Sequence, residues 1–453
     1  MPPFKEKTVA PNRPNLTWTA ANKGVFGLLL LLSACGGSSD PNGKTGPSVV
    51  FSGLQIDRLL RHSGEELVRE DPSNLVGDDE AAAQMGQYLF FDTQLSGSGE
   101  FSCDTCHQPE HGFADTTAVS EAVGITDRNT PSILNTVYNR WFYWDGRCDT
   151  HWCQALSPLE APEEHGTNRL AVAHRIDRSD ELREAYGLLF DELPDLSDSD
   201  RFPLNAMPVE DNEDDPLHRA WAGMSPEDQE SINVIFSNVG KTIAAYERKL
   251  VRFNSPFDEM ILELEAGNNS GGDSLSASAK RGAQLFVGEG MCWACHSGPT
   301  FSNKEFHNIA LPDSDNIDND SLGRYDGIQS LNNSMWRSDG AYSDSPDDPS
   351  ITEKVSFLVL GPEQVGQFKT PTLRNIVDTA PYMHGGHFST LFDAVDHYNK
   401  MDDLPRVGHR EELLLPLYWT DEQVMDVVEM LIALEGQPLD PALMVAPESP
   451  LLP

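Results

Sequence analysis

The sequence predicts a mainly α-helical protein made of two similar domains. Apolar residues recur at helical spacing over residues 232–250, and strand signals are few. A weak internal repeat places the hexapeptide Met85–Phe90 and its counterpart Arg281–Phe286 each ahead of a cysteine-containing loop. A repeat of this kind implies two domains of one type, and a chain of 453 residues is long enough for two cores.

The first 50 residues resemble an export signal followed by a linker. Cations precede the apolar run 25–32, which is too short to span a bilayer. The run ends in Leu32-Ser33-Ala34-Cys35, which resembles a bacterial lipobox; the alternative is an ordinary secretory signal with an unrelated cysteine. We expect residues 1–35 to be a lipoprotein signal peptide, Cys35 to carry the lipid and residues 36–50 to be a flexible tether. The protein would then lie in the periplasm, attached through lipid alone, with the outer membrane favoured.

Helix signals and loop signals divide the rest of the chain. A long helix is marked by the cap Ser225, and a last helix begins at Thr420, where Gln423 completes a capping box. The acidic stretch 191–215 and the Asp-, Asn- and Ser-rich stretch 311–350 show no periodicity and indicate surface loops. The predicted organisation is an N-terminal domain over 51–230, a C-terminal domain over 231–440 and a tail over 441–453.

The net charge excludes one class of partner. The chain has 72 acidic and 32 basic residues, which gives a formal net charge of −40. Nucleic acids require clustered cations, so they are excluded. A basic protein partner steered by charge is compatible with this balance, and so is a generally acidic surface suited to a salty habitat.

The seven cysteines fall into one single residue and three close pairs. Cys35 is assigned to lipid, and four others form two Cys-x-x-Cys pairs. Cys148 and Cys153 remain, and in an oxidising compartment a close pair most simply forms a disulfide. A metal site built from Cys148, His151 and Cys153 is the alternative, although no fourth ligand is evident.

The motif Cys-x-x-Cys-His occurs twice, at Cys103–His107 and at Cys292–His296. In this motif the thiols add across the haem vinyl groups and the histidine ligates the iron. The zinc alternative needs paired motifs about 15–20 residues apart, whereas these lie in separate halves of the chain. We therefore predict two cytochrome-c-like domains joined by long loops, each with one covalent haem c. The residues that would hold the two haems are Cys103, Cys106, His107, Cys292, Cys295 and His296.

Further short stretches, spread over roughly residues 72–435, form a specific pattern. They are Leu89–Asp92, Leu95–Gly99, Arg128–Ser132, Trp144–Arg147, Gln154–Ala155, Pro158–Leu159, Thr370–Asn375, Thr379–His384 and Leu391–Tyr398. With these stretches the sequence resembles the bacterial di-haem cytochrome c peroxidases and their MauG-like relatives. The resemblance implies an oxidoreductase of the cytochrome-c peroxidase type. Such an enzyme reduces hydrogen peroxide to water at the N-terminal haem, with electrons relayed through the C-terminal haem.

The resemblance also implies roles for single residues. Glu164 would be the catalytic carboxylate, Gln154 a distal glutamine and Trp144 the tryptophan between the haems. Tyr398 would ligate the C-terminal haem opposite His296, with His384 close by. An interdomain Ca²⁺ would be held by Asn129, Thr379 and Pro381.

The catalytic roles also have a chemical reason. Cleavage of peroxide requires a proton to move from one oxygen to the other, which a carboxylate can do as base and then as acid. Glutamine can only orient the peroxide. Glu160 and Glu163 are rivals of Glu164 on sequence grounds, and the alternative for Trp144 is a core aromatic residue.

Two departures from the peroxidase pattern bear on function. Many peroxidases carry a blocking histidine where this sequence has Ser120–Asp127, which contains none. Tyr398 stands where peroxidases carry methionine, which is the MauG-like arrangement, and His397 is the competing ligand. We therefore expect an open sixth position on the N-terminal iron and a tyrosine ligand on the C-terminal iron.

Three functions are compatible with these features. The first is a peroxidase that takes electrons from a small cytochrome c or a cupredoxin. The second is a MauG-like oxidase that modifies a side chain of a partner protein, which Tyr398 favours. The third is a non-catalytic electron-transfer lipoprotein, against which Glu164 and Gln154 argue. A homodimer is compatible with all three.

Overall fold

A computed structural model of the protein describes residues 49–64, 67, 70–209 and 212–452. Cys35, the signal segment 1–35 and most of the tether 36–50 lie outside these residues. The described chain is mainly helical, as the sequence predicts. None of its helices has the length and apolar character that a membrane crossing requires.

Fourteen α-helices, several short 3-10 helices and one two-stranded sheet make up the regular structure of the described ranges. The strands Phe306–His307 (β1) and Phe368–Lys369 (β2) are antiparallel, with Phe306 opposite Lys369. The helices are α1 Gly53–Leu60, α2 Glu80–Phe90, α3 Cys103–Cys106, α4 His151–Glu160, α5 Arg169–Arg178, α6 Asp180–Leu189, α7 Pro216–Ala222, α8 Pro226–Glu247, α9 Pro256–Glu265, α10 Ala277–Val287, α11 Arg324–Asn333, α12 Pro349–Ser356, α13 Leu391–Lys400 and α14 Asp421–Ile432.

The two long helices begin where the sequence predicts. The hydroxyl of Ser225 accepts a hydrogen bond from the backbone N–H of Asp228 at the start of α8. Thr420 and Gln423 form the reciprocal bonds of a capping box at the start of α14. Both caps satisfy backbone donors that the first turn of a helix leaves without a partner.

The internal repeat has a structural counterpart in two helix crossings. Helix α2 packs along α8, and α10 packs along α14. A Cβ on Gly86 would lie 1.8 Å from the carbonyl oxygen of Thr242, and one on Gly282 would lie 1.9 Å from that of Asp426. Because no real Cβ fits at such a distance, glycine at these equivalent positions of the repeat lets each pair of helices approach closely.

Buried apolar side chains form two large clusters. The first cluster lies mostly between residues 85 and 250, and the second mostly between residues 257 and 434. Helix α8 belongs to the first cluster, so the boundary predicted at residues 230 and 231 falls inside one continuous helix. The division into two domains with the expected bounds stays a prediction.

The two stretches predicted as surface loops are more structured than expected. The stretch 191–215 buries Leu196 and Phe202 in the first cluster. The stretch 311–350 contains α11, and it sends Trp336 and Tyr342 into the same cluster. The prediction of plain surface loops was therefore wrong in part, because a few apolar side chains anchor otherwise polar segments.

Each end of the described chain packs against the cluster of the opposite half. Phe51 and Leu59, in and next to α1, are buried in the second cluster. In the tail, the carbonyl oxygens of Ala442 and Val445 accept hydrogen bonds of 2.6 and 2.8 Å from Nε2 of Gln87 on α2. The halves are thus fastened together by both ends of the chain.

Candidate active site

The first Cys-x-x-Cys-His motif forms the short helix α3 and the residue after it. Nδ1 of His107 lies 3.0 Å from the carbonyl oxygen of Phe113. Since a carbonyl only accepts, Nδ1 carries the proton and Nε2 keeps its lone pair. Burial lowers the pKa of His107, which favours this neutral form.

The second motif repeats this geometry. Nδ1 of His296 lies 2.9 Å from the carbonyl oxygen of Phe301, and burial lowers the pKa of His296 to about 4. All four motif cysteines carry free thiols. Burial raises the pKa of Cys106 and Cys295 to about 11. Both motifs therefore present two free thiols beside a neutral imidazole.

Glu164 lies on the loop after α4 and faces the first motif. Burial raises the pKa of Cys103 and Cys106, and the negative charge of Glu164 adds to that rise. Burial in turn raises the pKa of Glu164, and the nearby Arg147 guanidinium opposes that rise. The carboxyl group is therefore near the thiols in a desolvated environment, which favours its protonated form more than water would.

The two rival carboxylates are placed differently. Glu160 forms a two-point ion pair with Arg169, with N–O distances of 2.9 and 2.7 Å. Glu163 is exposed to solvent. The structure thus distinguishes Glu164 from both neighbours that the sequence leaves open.

Tyr143 and Arg147 form the wall next to Glu164. The Arg147 guanidinium carbon lies 3.5 Å from the centre of the Tyr143 ring, and Arg147 also pairs with Asp145 at 3.0 Å. The Tyr143 hydroxyl donates a 3.1 Å hydrogen bond to the backbone carbonyl of Gln154 on α4. This bond ties Gln154 to the wall that carries Arg147.

The stretch Ser120–Asp127, which lacks a histidine, packs against the Glu164 loop. The backbone N–H of Gly124 donates to the carbonyl of Glu163 at 2.9 Å. A Cβ on Gly124 would lie 3.3 Å from Cα of Glu163. The segment in which many peroxidases carry the blocking histidine is here a support for the carboxylate loop.

Trp144 joins segments from both halves. Its indole N–H donates a 2.8 Å hydrogen bond to the carbonyl of Asn129. Its ring centre lies 6.3 Å from that of His384 in an edge-on contact, and its own carbonyl accepts a 2.7 Å bond from the N–H of Lys369. His384 stacks on Phe368 with ring centres 3.7 Å apart. Trp144 thus stands between chain segments 129 and 369–384.

Tyr398 and His397 on α13 point in different directions. Burial raises the pKa of Tyr398 above its usual value. The nearby Cys295 and Cys292, when ionised, raise it further. In the described part of the chain, the Tyr398 hydroxyl has no hydrogen-bond partner. Nε2 of His397 is instead bonded to the carbonyl of Ile309 at 2.9 Å. Tyr398 therefore faces the second motif with a free hydroxyl, and His397 is engaged elsewhere.

Comparison with known proteins identifies the family. The model of the di-haem cytochrome c peroxidase family matches residues 80–266. The methylamine utilization protein MauG of Methylorubrum extorquens is 30% identical over 78% of this chain and 78% of its own length. The chain belongs to the di-haem cytochrome c peroxidase and MauG family.

Two further relatives agree with this assignment. The cytochrome-c peroxidase IdrP2 of Denitromonas iodatirespirans is 29% identical over 81% of this chain and 84% of its own length. A crystal structure of a MauG-like protein associated with microbial copper homeostasis has a TM-score of 0.57 at 23% identity, covering 84% of this chain and 97% of that one. The similarity to this crystal structure shows a shared fold and carries no statement about activity.

Membership of the family implies two covalent haem c groups, and the donor groups of both motifs fit them. Each motif offers two thiols that are not joined in a disulfide. Each histidine has Nδ1 held by a backbone carbonyl, which leaves Nε2 as the nitrogen that carries the lone pair. Six side chains in two equivalent sets thus have the chemistry that c-type haem attachment needs.

The remaining cysteines are joined to each other. Cys148 and Cys153 form a disulfide with a Cα–Cα distance of 5.8 Å. Nε2 of His151 lies 2.5 Å from a carboxylate oxygen of the buried Glu247. In the described ranges no group of three or more His, Cys, Asp or Glu side chains is arranged to hold a metal ion. The alternative metal site at Cys148, His151 and Cys153 therefore has no support.

The residues expected to bind Ca²⁺ lie at the junction of two segments. The backbone N–H of Asn129 bonds to the carbonyl of His384 at 2.9 Å, close in sequence to Thr379 and Pro381. The side-chain amide of Asn129 donates to the carbonyl of Thr117. These contacts bring the two segments together, but no contact among the described residues joins all three expected ligands, so the Ca²⁺ site stays a prediction.

Three residues near Glu164 had no role predicted from the sequence. They are Tyr143, Arg147 and His165, of which His165 is buried with Nε2 4.0 Å from the Cys103 sulfur. Arg147 ends the stretch Trp144–Arg147, so the family pattern already marked it. Tyr143 and His165 adjoin marked residues, and only the fold brings them to the thiols.

Proposed function

We propose that this protein is a di-haem c-type peroxidase that reduces hydrogen peroxide to water at its N-terminal haem. Glu164 carries the proposal, because an electron-transfer cytochrome needs no carboxyl group there. Glu164 is largely desolvated, has a raised pKa and lies beside the thiols of the first motif. A peroxidase needs a proton-transferring group in that position.

The bound haems would supply the iron that accepts peroxide and the electrons that cleave its O–O bond. Glu164 would take a proton from one peroxide oxygen and return it to the other. Arg147, near Glu164, would hold the carboxylate in place and keep its pKa from rising further. Gln154 would orient the peroxide, since an amide donates hydrogen bonds but does not transfer protons at neutral pH.

Trp144 would be the relay between the two haem sites. It bonds to Asn129 on one side and contacts His384 on the other, which spans the segments that meet between the halves. Electrons would come from a small cytochrome c or a cupredoxin and reach the N-terminal site by way of the C-terminal haem. An indole between two redox centres shortens each electron-transfer step.

The proposed location of the protein is the periplasm. We infer that Cys35 carries a lipid that holds the protein in the periplasm, with the outer membrane favoured. Ca²⁺ on Asn129, Thr379 and Pro381 would fasten the two halves where Trp144 crosses between them. A homodimer is compatible with this arrangement.

A second candidate is a MauG-like oxidase that modifies a side chain of a partner protein. Tyr398 favours it, because its free hydroxyl faces the thiols of the second motif. A phenolate ligand stabilises ferric and higher-valent iron, whereas methionine raises the reduction potential. Such a haem would share oxidising equivalents more readily than it would store electrons from a donor.

Steady-state turnover of the di-haem protein with peroxide tests the two functions against each other. We expect rapid oxidation of a reduced small cytochrome c and loss of that activity in Glu164→Gln. Slow oxidation of every cytochrome and cupredoxin tried, together with fast reaction of the protein with peroxide, would favour the oxidase. Absence of any reaction with peroxide would reject both.

A further inference from the structure

A surface cavity of about 350 Å³ lies between β1, α11 and the segment that follows α12. Three cations line it, Arg140, Arg324 and Lys354, and Glu305 is the one carboxylate among its lining residues. None of the three cations lies within ion-pair distance of a carboxylate among the described residues, and Nζ of Lys354 donates instead to the backbone carbonyl of Asp149. This is unusual in a chain with 72 acidic and 32 basic residues.

Arg324 is the innermost of these cations, with 4% of its surface exposed. Its Nη1 donates to the carbonyls of Asp145 and Gly146 at 3.1 and 2.7 Å. In the part of the chain that the structure describes, its Nε and Nη2 have no hydrogen-bond partner. Burial lowers the pKa of Arg324 to about 10. Arg324 lines the cavity with donors that no described residue uses, and no carboxylate lies within ion-pair distance, so these donors are available to an anion.

All three cations surround the buried ring of Trp141. The guanidinium carbons of Arg324 and Arg140 lie 4.5 and 5.7 Å from its centre, and Nζ of Lys354 lies 5.2 Å from it. Attraction to one ring holds the three charges together. Their mutual repulsion in this partly desolvated place is relieved by a negative charge set among them.

The outer wall of the cavity is apolar. Phe357 and Val359, which follow α12, are 78% and 68% exposed. Exposed apolar side chains next to a group of cations favour a ligand that has both a negatively charged end and an apolar end. Its charged end would meet the cations, and its apolar end would cover this wall.

We propose that the cavity binds a small organic carboxylate with an apolar body. The carboxylate would take the fork of Arg324 with the charges of Lys354 and Arg140, and the body would lie against Phe357 and Val359. Guanidinium and carboxylate match in planar, two-point geometry. This site is separate from Glu164 and does not depend on the proposed peroxidase activity.

Isothermal titration of the di-haem protein with benzoate tests the proposal, and benzyl alcohol serves as a neutral probe of the same shape. We expect benzoate to bind saturably at one site per chain, and benzyl alcohol to give no saturable heat. Added salt should weaken benzoate binding, because the cations are partly open to solvent. No saturable benzoate binding, or equal affinity for the two probes, would overturn the proposal.

Two matched variants locate the site. Arg140→Gln and Arg178→Gln each remove one exposed cation without a described ion pair, and only Arg140 lines the cavity. We expect Arg140→Gln to raise the Kd for benzoate about threefold, as one partly screened charge contact would, and Arg178→Gln to leave it unchanged. Arg324→Lys keeps the charge but loses the fork, and should raise the Kd about tenfold. Equal Kd values for Arg140→Gln and Arg178→Gln would refute the location.

Discussion

Replacing Glu164 with glutamine should abolish most of the reaction with peroxide and leave both haems attached. Loss of a general acid–base group typically costs on the order of 10²–10⁴ in rate. The structure points to the middle of that range, because neither Glu160 nor Glu163 is placed to substitute. Glu160 is bound to Arg169 at 2.7 Å, and Glu163 is turned to solvent. We therefore expect a loss of about 10³-fold, which corresponds to a barrier about 4 kcal/mol higher.

The pH dependence provides a second measurement on the same residue. Burial raises the pKa of Glu164, so its carboxyl group stays protonated to higher pH than an exposed glutamic acid. The deprotonated form must accept the first proton, so the wild-type rate should rise with pH through this raised pKa. Glutamine does not titrate, so Glu164→Gln should lack that rise.

Stopped-flow absorbance of the haem bands after mixing with peroxide measures both effects. Glu163→Gln is the matched control, since it removes the same charge one residue away from an exposed position. It should react at the wild-type rate, with equal haem content in all three proteins. Wild-type reactivity of Glu164→Gln, or an equal loss in Glu163→Gln, would refute the assignment of Glu164.

Four further predictions concern the cofactors and the disulfide. Denatured protein should keep its haem colour after acid–acetone extraction and should exceed the polypeptide mass by two haems; freely extracted haem would contradict covalent attachment. The oxidised protein should bind peroxide without prior reduction, whereas a spectrum of two six-coordinate low-spin haems at rest would exclude an open N-terminal iron. Tyr398→Met should raise the potential of the C-terminal haem by on the order of 100 mV, within the span that axial ligands produce. His397→Ala should leave that potential unchanged, and the opposite result would make His397 the ligand. Cys148 and Cys153 should resist thiol labelling in protein from the periplasm, and their joint replacement by serine should lower the free energy of unfolding by about 2 kcal/mol; rapid labelling of both thiols would reject the disulfide.

The local features of the fold were predictable from the sequence, because their causes are local. The caps at Ser225 and Thr420 depend on residues within three positions. The repeat also contains the residues that allow its two helix crossings, since Gly86 and Gly282 occupy equivalent positions and each permits close helix approach. The polar composition of 311–350 predicted a surface loop, but Trp336 and Tyr342 within this stretch are buried in the first cluster and anchor it. The Tyr342 hydroxyl accepts a 3.0 Å bond from Asn233 on α8, and nothing near Tyr342 in the sequence announces that partner.

The site was predictable in its residue types and less so in their environment. Sequence alone left Glu160, Glu163 and Glu164 as alternatives, because burial and the partner Arg169 arise only in the fold. The cationic cavity had no sequence signal at all. Arg140, Arg324 and Lys354 come from three separate segments of the chain, and only the fold brings them to one cavity.

Contacts between residues 442–445 and the first half of the chain affect when that half can finish folding. Gln87 on α2 bonds to Ala442, 355 positions later in the sequence, and the Tyr246 hydroxyl bonds to the carbonyl of Leu443 at 2.6 Å. The first half therefore stays incomplete until residues 442–445 have been synthesised and have reached it. Contacts of such long range make folding slow, because a large loop must close before they form. Until then the first Cys-x-x-Cys-His motif would remain in an unfinished domain, where its thiols would stay accessible for covalent haem attachment.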